Sequence, residues 1–141
     1  PWSEVNLEAA EWRIPAARMK KRRHHIVPLS KQAVVLFGEL RELTGNGLYL
    51  FPNTREPGRP MSPAAIDKVF GALAMVGGFP AFFPGTAATM LRESGFDDRA
   101  IELQLAHSDE DKSRASYNHA ELIGPRRAML QAWTDMVDHL S

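Results

Sequence analysis

The chain contains no cysteine, which excludes a disulfide framework and a thiolate metal site and fits a reducing cytosolic setting. It has no apolar run near the roughly 18 residues that span a membrane. Its opening, Pro1-Trp2-Ser3-Glu4-Val5, lacks the basic stretch and apolar core of a signal peptide. Net charge is also lacking: 17 Lys and Arg balance 17 Asp and Glu, which argues against a uniformly basic nucleic-acid binder. No internal repeat, low-complexity tract or linker interrupts the sequence. What remains is a 141-residue chain, 44% hydrophobic and 24% charged, which reads as one domain able to bury a sizeable core.

The zero total conceals an asymmetry. From Arg13 to Lys31 there are seven Lys or Arg and no acid, whereas from Glu93 to Asp111 seven acids face one base, Arg99. A balanced chain can therefore carry a basic face suited to phosphates.

Hydrophobic spacing places the elements. Val5 and Leu7, then Trp12 and Ile14, form two short apolar alternations separated by Glu8–Glu11, which predicts a hairpin. His25–Leu29 predicts a third strand, and the basic cluster Arg18, Lys20, Lys21, Arg22 and Arg23 falls on the turn between strands two and three. Ser30 has the chemistry of an N-cap. Val34, Val35, Leu36, Phe37, Leu40 and Leu43 follow it at helical spacing up to Thr44-Gly45-Asn46-Gly47. Ser62-Pro63 predicts a second helix start, with Ile66, Val69, Phe70, Leu73 and Met75 inward and Gly77-Gly78 as the stop. A third helix is expected from Gly85 to a stop at Gly95. A fourth is expected over Arg99–Ala106, capped by Asp97 or Asp98, and a last over about Glu121–Leu140 with Leu122, Met129, Leu130, Trp133, Met136, Val137 and Leu140 inward. Arg126 and Arg127 read as surface charges at the start of that helix. The expected fold is α+β and mainly helical, with a small three-stranded antiparallel sheet and a bundle of about five to six helices.

One pair of residues carries chemistry. His107 closes the stretch Gln104-Leu105-Ala106-His107, and Tyr117 follows ten residues later in Ala115-Ser116-Tyr117-Asn118-His119. The arrangement can bring an imidazole and a phenol to one cleft, where a tyrosine attacks a phosphodiester. Equally, the spacing fits a helix-end histidine and a half-buried aromatic. His24 and His25 are adjacent, which is poor geometry for joint chelation on a strand, and no metal-ligand spacing is visible.

Taken together, the ordered segments Trp2–Leu7, Trp12–Ala16, Arg18-Met19-Lys20, His25–Ser30, Leu50-Phe51-Pro52, Ala87–Leu91, Ile101–His107, Tyr117-Asn118 and Arg126-Arg127 resemble the catalytic domain of tyrosine recombinases. The likeness is specifically to prophage-type integrases of bacteria and covers nearly the whole chain. The resemblance implies DNA integration and recombination through a phosphotyrosyl intermediate, with Tyr117 as nucleophile and His107 contacting the phosphate in the transition state. It makes Lys20 the donor of a proton to the leaving 5′-oxygen. The density of Arg18, Lys21, Arg22 and Arg23, with no acid nearby, points to contacts with the DNA backbone, the plainer reading being a solvated turn. The resemblance implies double-stranded DNA as partner, a homo-oligomer on DNA, no cofactor, no metal, no membrane and no small-molecule substrate. The expected location is the bacterial cytoplasm, at the nucleoid when DNA is bound. Residues 1–141 are expected to form a single truncated catalytic domain.

Two departures bear on the chemistry. The family's His-x-x-Arg motif falls on Ala81-Phe82-Phe83-Pro84, so its histidine position is Ala81 and its phosphate-clamping arginine position is Pro84. The other clamping arginine of relatives lies upstream of Trp2, outside these residues. Removing one preorganised transition-state donor costs about 10²–10³ in rate, so efficient cleavage is not expected. The alternative is a non-catalytic remnant that still binds duplex DNA.

Overall fold

The structure, a computed structural model, describes residues 1–69, 83–106 and 122–140. Its sheet is small and antiparallel, in the order β1 (Val5–Asn6), β2 (Glu11–Ile14) and β3 (His25–Pro28). Val5 sits opposite Trp12, and β2 runs against β3 with Trp12 opposite Val27 and Ile14 opposite His25. The three strands thus fall where the alternation places them, although β1 is two residues long. The first hairpin turns through Ala10, whose φ of 51° is left-handed. Ala10 is held there by its carbonyl, which accepts from Leu29 N at 2.8 Å.

Helix α1 spans Lys31–Thr44. Ser30 caps it, with Oγ accepting from Ala33 N at 3.2 Å, the usual way a serine satisfies an orphan donor of the first turn. At its other end Gly45 N donates to Arg41 O, and a Cβ at position 45 would lie 2.3 Å from that oxygen. Only glycine fits so close an approach. Trp2 ties the N-terminal turn to this helix end through Nε1 to Thr44 O at 3.2 Å. A second helix, α2, covers residues 63–69 as expected from Ser62-Pro63. The expected stop at Gly77-Gly78 lies outside the described residues.

The packed centre is built from α3 (Phe83–Glu93), α4 (Asp98–Gln104) and α5 (Ile123–Leu140). Ala88 and Leu91, Ala100 and Ile101, and Met129 form its buried cluster, with Phe96, Leu105, Trp133 and Met136 packed around them. Each helix contributes residues at i and i+3 or adjacent positions, so one stripe per helix meets the others. Gly95 at φ 82° stops α3. Phe96 N then reaches Leu91 O and Gly95 N reaches Arg92 O, the paired bonds of a Schellman ending. Asp97 Oδ1 immediately accepts from Arg99 N at 2.9 Å to start α4. Strand β3 packs against α5, which joins sheet and bundle.

One expectation fails, at Arg126, and one apolar pattern stays largely exposed. Helix α1 buries none of its residues: Val35 is 60% exposed, Leu36 62% and Leu43 83%. It meets α5 through polar contacts, with Gln32 Nε2 donating to Asp135 and Asp138 at 2.7 and 2.8 Å, while Val34, Phe37 and Leu40 are half-buried. On α5, Arg126 is fully buried rather than on the surface. Arg127 is half-buried, donating to Ala10 O at 3.1 Å and Glu11 at 3.3 Å.

Candidate nucleic-acid interface

The connection from β2 to β3 is a chain of tight turns that pushes its cations outward. Pro15 opens it, and Arg18 N donates to Pro15 O and Met19 N to Ala16 O around a single 3₁₀ turn, Ala16–Arg18. A β-turn follows, closed by Arg22 N to Met19 O at 2.9 Å. Lys20 and Lys21 are its two central residues, so their side chains stand at the apex. Arg22 takes a φ of 52°, a left-handed conformation that costs a non-glycine residue about 1 kcal/mol. Lys20, Lys21, Arg22 and Arg23 are all exposed. Among the described residues none of the four meets an acid. Four cations without counter-ions at one tip form a concentrated positive source, suited to a polyanion's backbone rather than to reading bases.

Arg18 differs from its neighbours. Its Nη1 donates to Glu4 Oε2 at 2.6 Å, and the same oxygen accepts from Trp12 Nε1 at 3.1 Å. Glu4 thus bridges the 3₁₀ turn before β1, strand β2 and the base of the basic turn.

Beside the sheet lies the second arginine site. The Arg126 guanidinium donates to Ile26 O on β3 at 2.6 Å and to Gln104 Oε1, the last residue of α4, at 2.7 and 3.2 Å. Its Nη1 is buried and has no hydrogen-bond partner among the described residues. With no carboxylate in these bonds, burial pushes its pKa down to about 10, which leaves the group cationic at neutral pH. Arg126 therefore fastens the strand that leaves the basic turn to the helix end that precedes His107 by three residues.

Of the residues singled out from sequence, Lys20, Lys21, Arg22 and Arg23 gather on one turn, with Arg18 at its base. Pro84 lies in the first turn of α3. His107, Tyr117 and Ala81 lie outside the described residues, so their place relative to the turn is carried by sequence alone. Sequence reasoning missed Glu4, Gln104 and Arg126. Glu4 and Arg18 are fourteen residues apart and Gln104 and Arg126 twenty-two, separations that no local periodicity marks. Among the described residues no group of three His, Asp or Glu is placed to hold a metal ion, and no helix is long and apolar enough to cross a membrane.

The model of the phage integrase family matches residues 1–122. The chain belongs to that family. Prophage integrase IntA of Escherichia coli K12 is 36% identical over 137 residues, covering 96% of this chain and 33% of the relative. The integrase of Enterobacteria phage P4 is 35% identical over 156 residues, covering 97% and 35%. Prophage integrase IntZ of E. coli K12 is 37% identical over 145 residues, covering 99% and 35%. The chain thus spans about a third of the length of these relatives. No solved structure matches it. The likeness to prophage-type integrases holds at the family level, and the mainly helical α+β fold with its three-stranded sheet agrees with a recombinase catalytic domain.

Proposed function

We propose that this chain is catalytic-domain sequence for DNA integration and site-specific recombination that grips duplex DNA through the β2–β3 turn while its strand-cleaving chemistry is blunted. The observation that carries the reading is the turn itself: Lys20, Lys21, Arg22 and Arg23 exposed at one apex, in a chain of the phage integrase family. Within this reading Lys21, Arg22 and Arg23 meet backbone phosphates, and Lys20 lies nearest the scissile one. Tyr117 gives up its phenolic proton to water as its Oη attacks that phosphorus, the bond from phosphorus to the 5′-oxygen breaks, and the departing oxygen takes a proton from Lys20. The product is a 3′-phosphotyrosyl ester and a free 5′-hydroxyl. The ester conserves the bond energy, so the reverse attack rejoins strands without a nucleotide cofactor.

Phosphoryl transfer of this kind depends on cations held around the equatorial oxygens. His107 supplies one such donor. Ala81 and Pro84 supply none: a methyl group cannot stabilise charge, and proline has neither a side-chain donor nor a backbone N–H. Grip on DNA and speed of cleavage are therefore uncoupled in this chain.

A nicked duplex that traps the covalent intermediate tests both halves. The expected result is salt-sensitive binding, unchanged in Tyr117→Phe, with little or no Tyr117 adduct on a denaturing gel. The Ala81→His/Pro84→Arg variant should form more adduct. Rapid Tyr117-dependent adduct in the unaltered chain would contradict blunted chemistry, and absence of binding at low salt would contradict the grip.

A further inference from the structure

Five cations cluster at the β2–β3 connection, but the fold separates them into four and one. Arg18 is 51% exposed and pairs with a Glu4 side chain that is only 10% exposed. That carboxylate has lost most of its water, and two donors compensate it: the Arg18 guanidinium at 2.6 Å and the Trp12 indole at 3.1 Å. We propose that Glu4 withholds Arg18 from DNA and makes it a positioning residue for the turn, so that phosphates are met by Lys20, Lys21, Arg22 and Arg23 alone. The proposal rests on the DNA-binding reading above and names which cations do the binding.

The physical argument is an exchange. Lys21, Arg22 and Arg23 leave water to meet a phosphate, and each releases counter-ions in doing so. Arg18 would have to leave a carboxylate, stranding a nearly buried anion with one neutral donor in the negative potential of the approaching DNA. Breaking one partner away from a desolvated pair is far more costly than forming a surface contact is favourable. Arg18 therefore stays with Glu4. Because it ends the 3₁₀ turn two residues before Lys20, and Glu4 also grips Trp12 on β2, this bond fixes the direction in which the apex points from the sheet.

Salt dependence of duplex binding separates this role from direct contact, because each phosphate neutralised by a cation contributes about 0.9 to the slope of log K against log salt. Binding of the whole chain to a labelled duplex of about 30 base pairs would be followed by anisotropy across a potassium chloride series. Arg18→Gln should leave the slope unchanged. Glu4→Gln, which keeps an oxygen acceptor for both donors, should free Arg18 and raise the slope by about 0.9. The double variant should return to the original slope. A fall of about 0.9 in Arg18→Gln alone would overturn the proposal, and that variant decides the matter even if Glu4→Gln does not fold. Should charge reversal at Lys21, Arg22 and Arg23 leave the binding of the unaltered chain intact, the DNA-binding reading itself fails and the proposal with it.

Discussion

A fully buried arginine with no acid partner is the most consequential single residue in the described fold. Arg126 makes its bonds to neutral oxygens of Ile26 and Gln104, and among the described residues one of its nitrogens has no partner. Truncation takes the donor from Ile26 O and Gln104 Oε1. Arg126→Ala is therefore expected to cost about 2–3 kcal/mol, a large part of a small domain's stability, measured by urea unfolding. A loss under about 1 kcal/mol would show that the bridge contributes little. The pKa of about 10 sets the pH behaviour. The unfolded chain holds this proton up to its ordinary, higher value, so above about pH 10 it binds more protons than the native state. This group's contribution to stability thus rises with pH in that window and is flat from pH 6 to 9. Comparing alkaline melting of the native chain with Arg126→Met isolates it: the difference between them should shift in that window alone.

Among the elements, α1 departs most from its sequence pattern. The helix caps were legible: Ser30, the Thr44–Gly47 stop, Gly95 after α3 and Asp97 before α4 all act through bonds between residues close in the chain, and local chemistry can be read from local sequence. The apolar residues of α1 were legible only as a pattern. Val35, Leu36 and Leu43 repeat with helical spacing, but what a face packs against depends on elements distant in the chain, and in the described fold they are exposed. The polar seam to α5, from Gln32 to Asp135 and Asp138, spans more than a hundred residues and has no local signature. Ser30→Ala should cost about 1 kcal/mol in thermal or urea unfolding. Hydrogen bonds from Gln32 and Gln131 hold the Asp135 carboxyl below its ordinary value. A depressed carboxyl contributes stability above its unfolded pKa of 3.8 and loses it as pH falls through the native value. Gln32→Ala should flatten the acid side of the melting-temperature profile below pH 4, and an unaltered profile would show that the seam does not couple to that proton. On the turn, Arg22→Gly relieves the left-handed residue and should raise stability by up to about 1 kcal/mol while lowering the salt slope of DNA binding by about 0.9.

For the whole molecule, charge distribution matters more than charge. A total of zero conceals a cationic tip carried on a small sheet, and the sheet is braced to the helical bundle by Arg126 and Arg127. That organisation was legible because the basic run has no acid within it and sits between two strand patterns. The partition of the run was not legible, since Glu4 reaches Arg18 only once β1 and β2 pair. Family membership follows from many ordered matches along the chain. Duplex DNA held by the turn is the claim on which the rest depends. The most direct measurement is anisotropy of this chain on a duplex of about 30 base pairs, from 50 to 200 mM salt, beside the Lys21→Glu/Arg22→Glu/Arg23→Glu variant. Four phosphate contacts predict that the native chain loses affinity roughly a hundredfold over that range and that the variant binds far more weakly with a shallow slope. Equal affinity and slope for the two proteins would contradict the account.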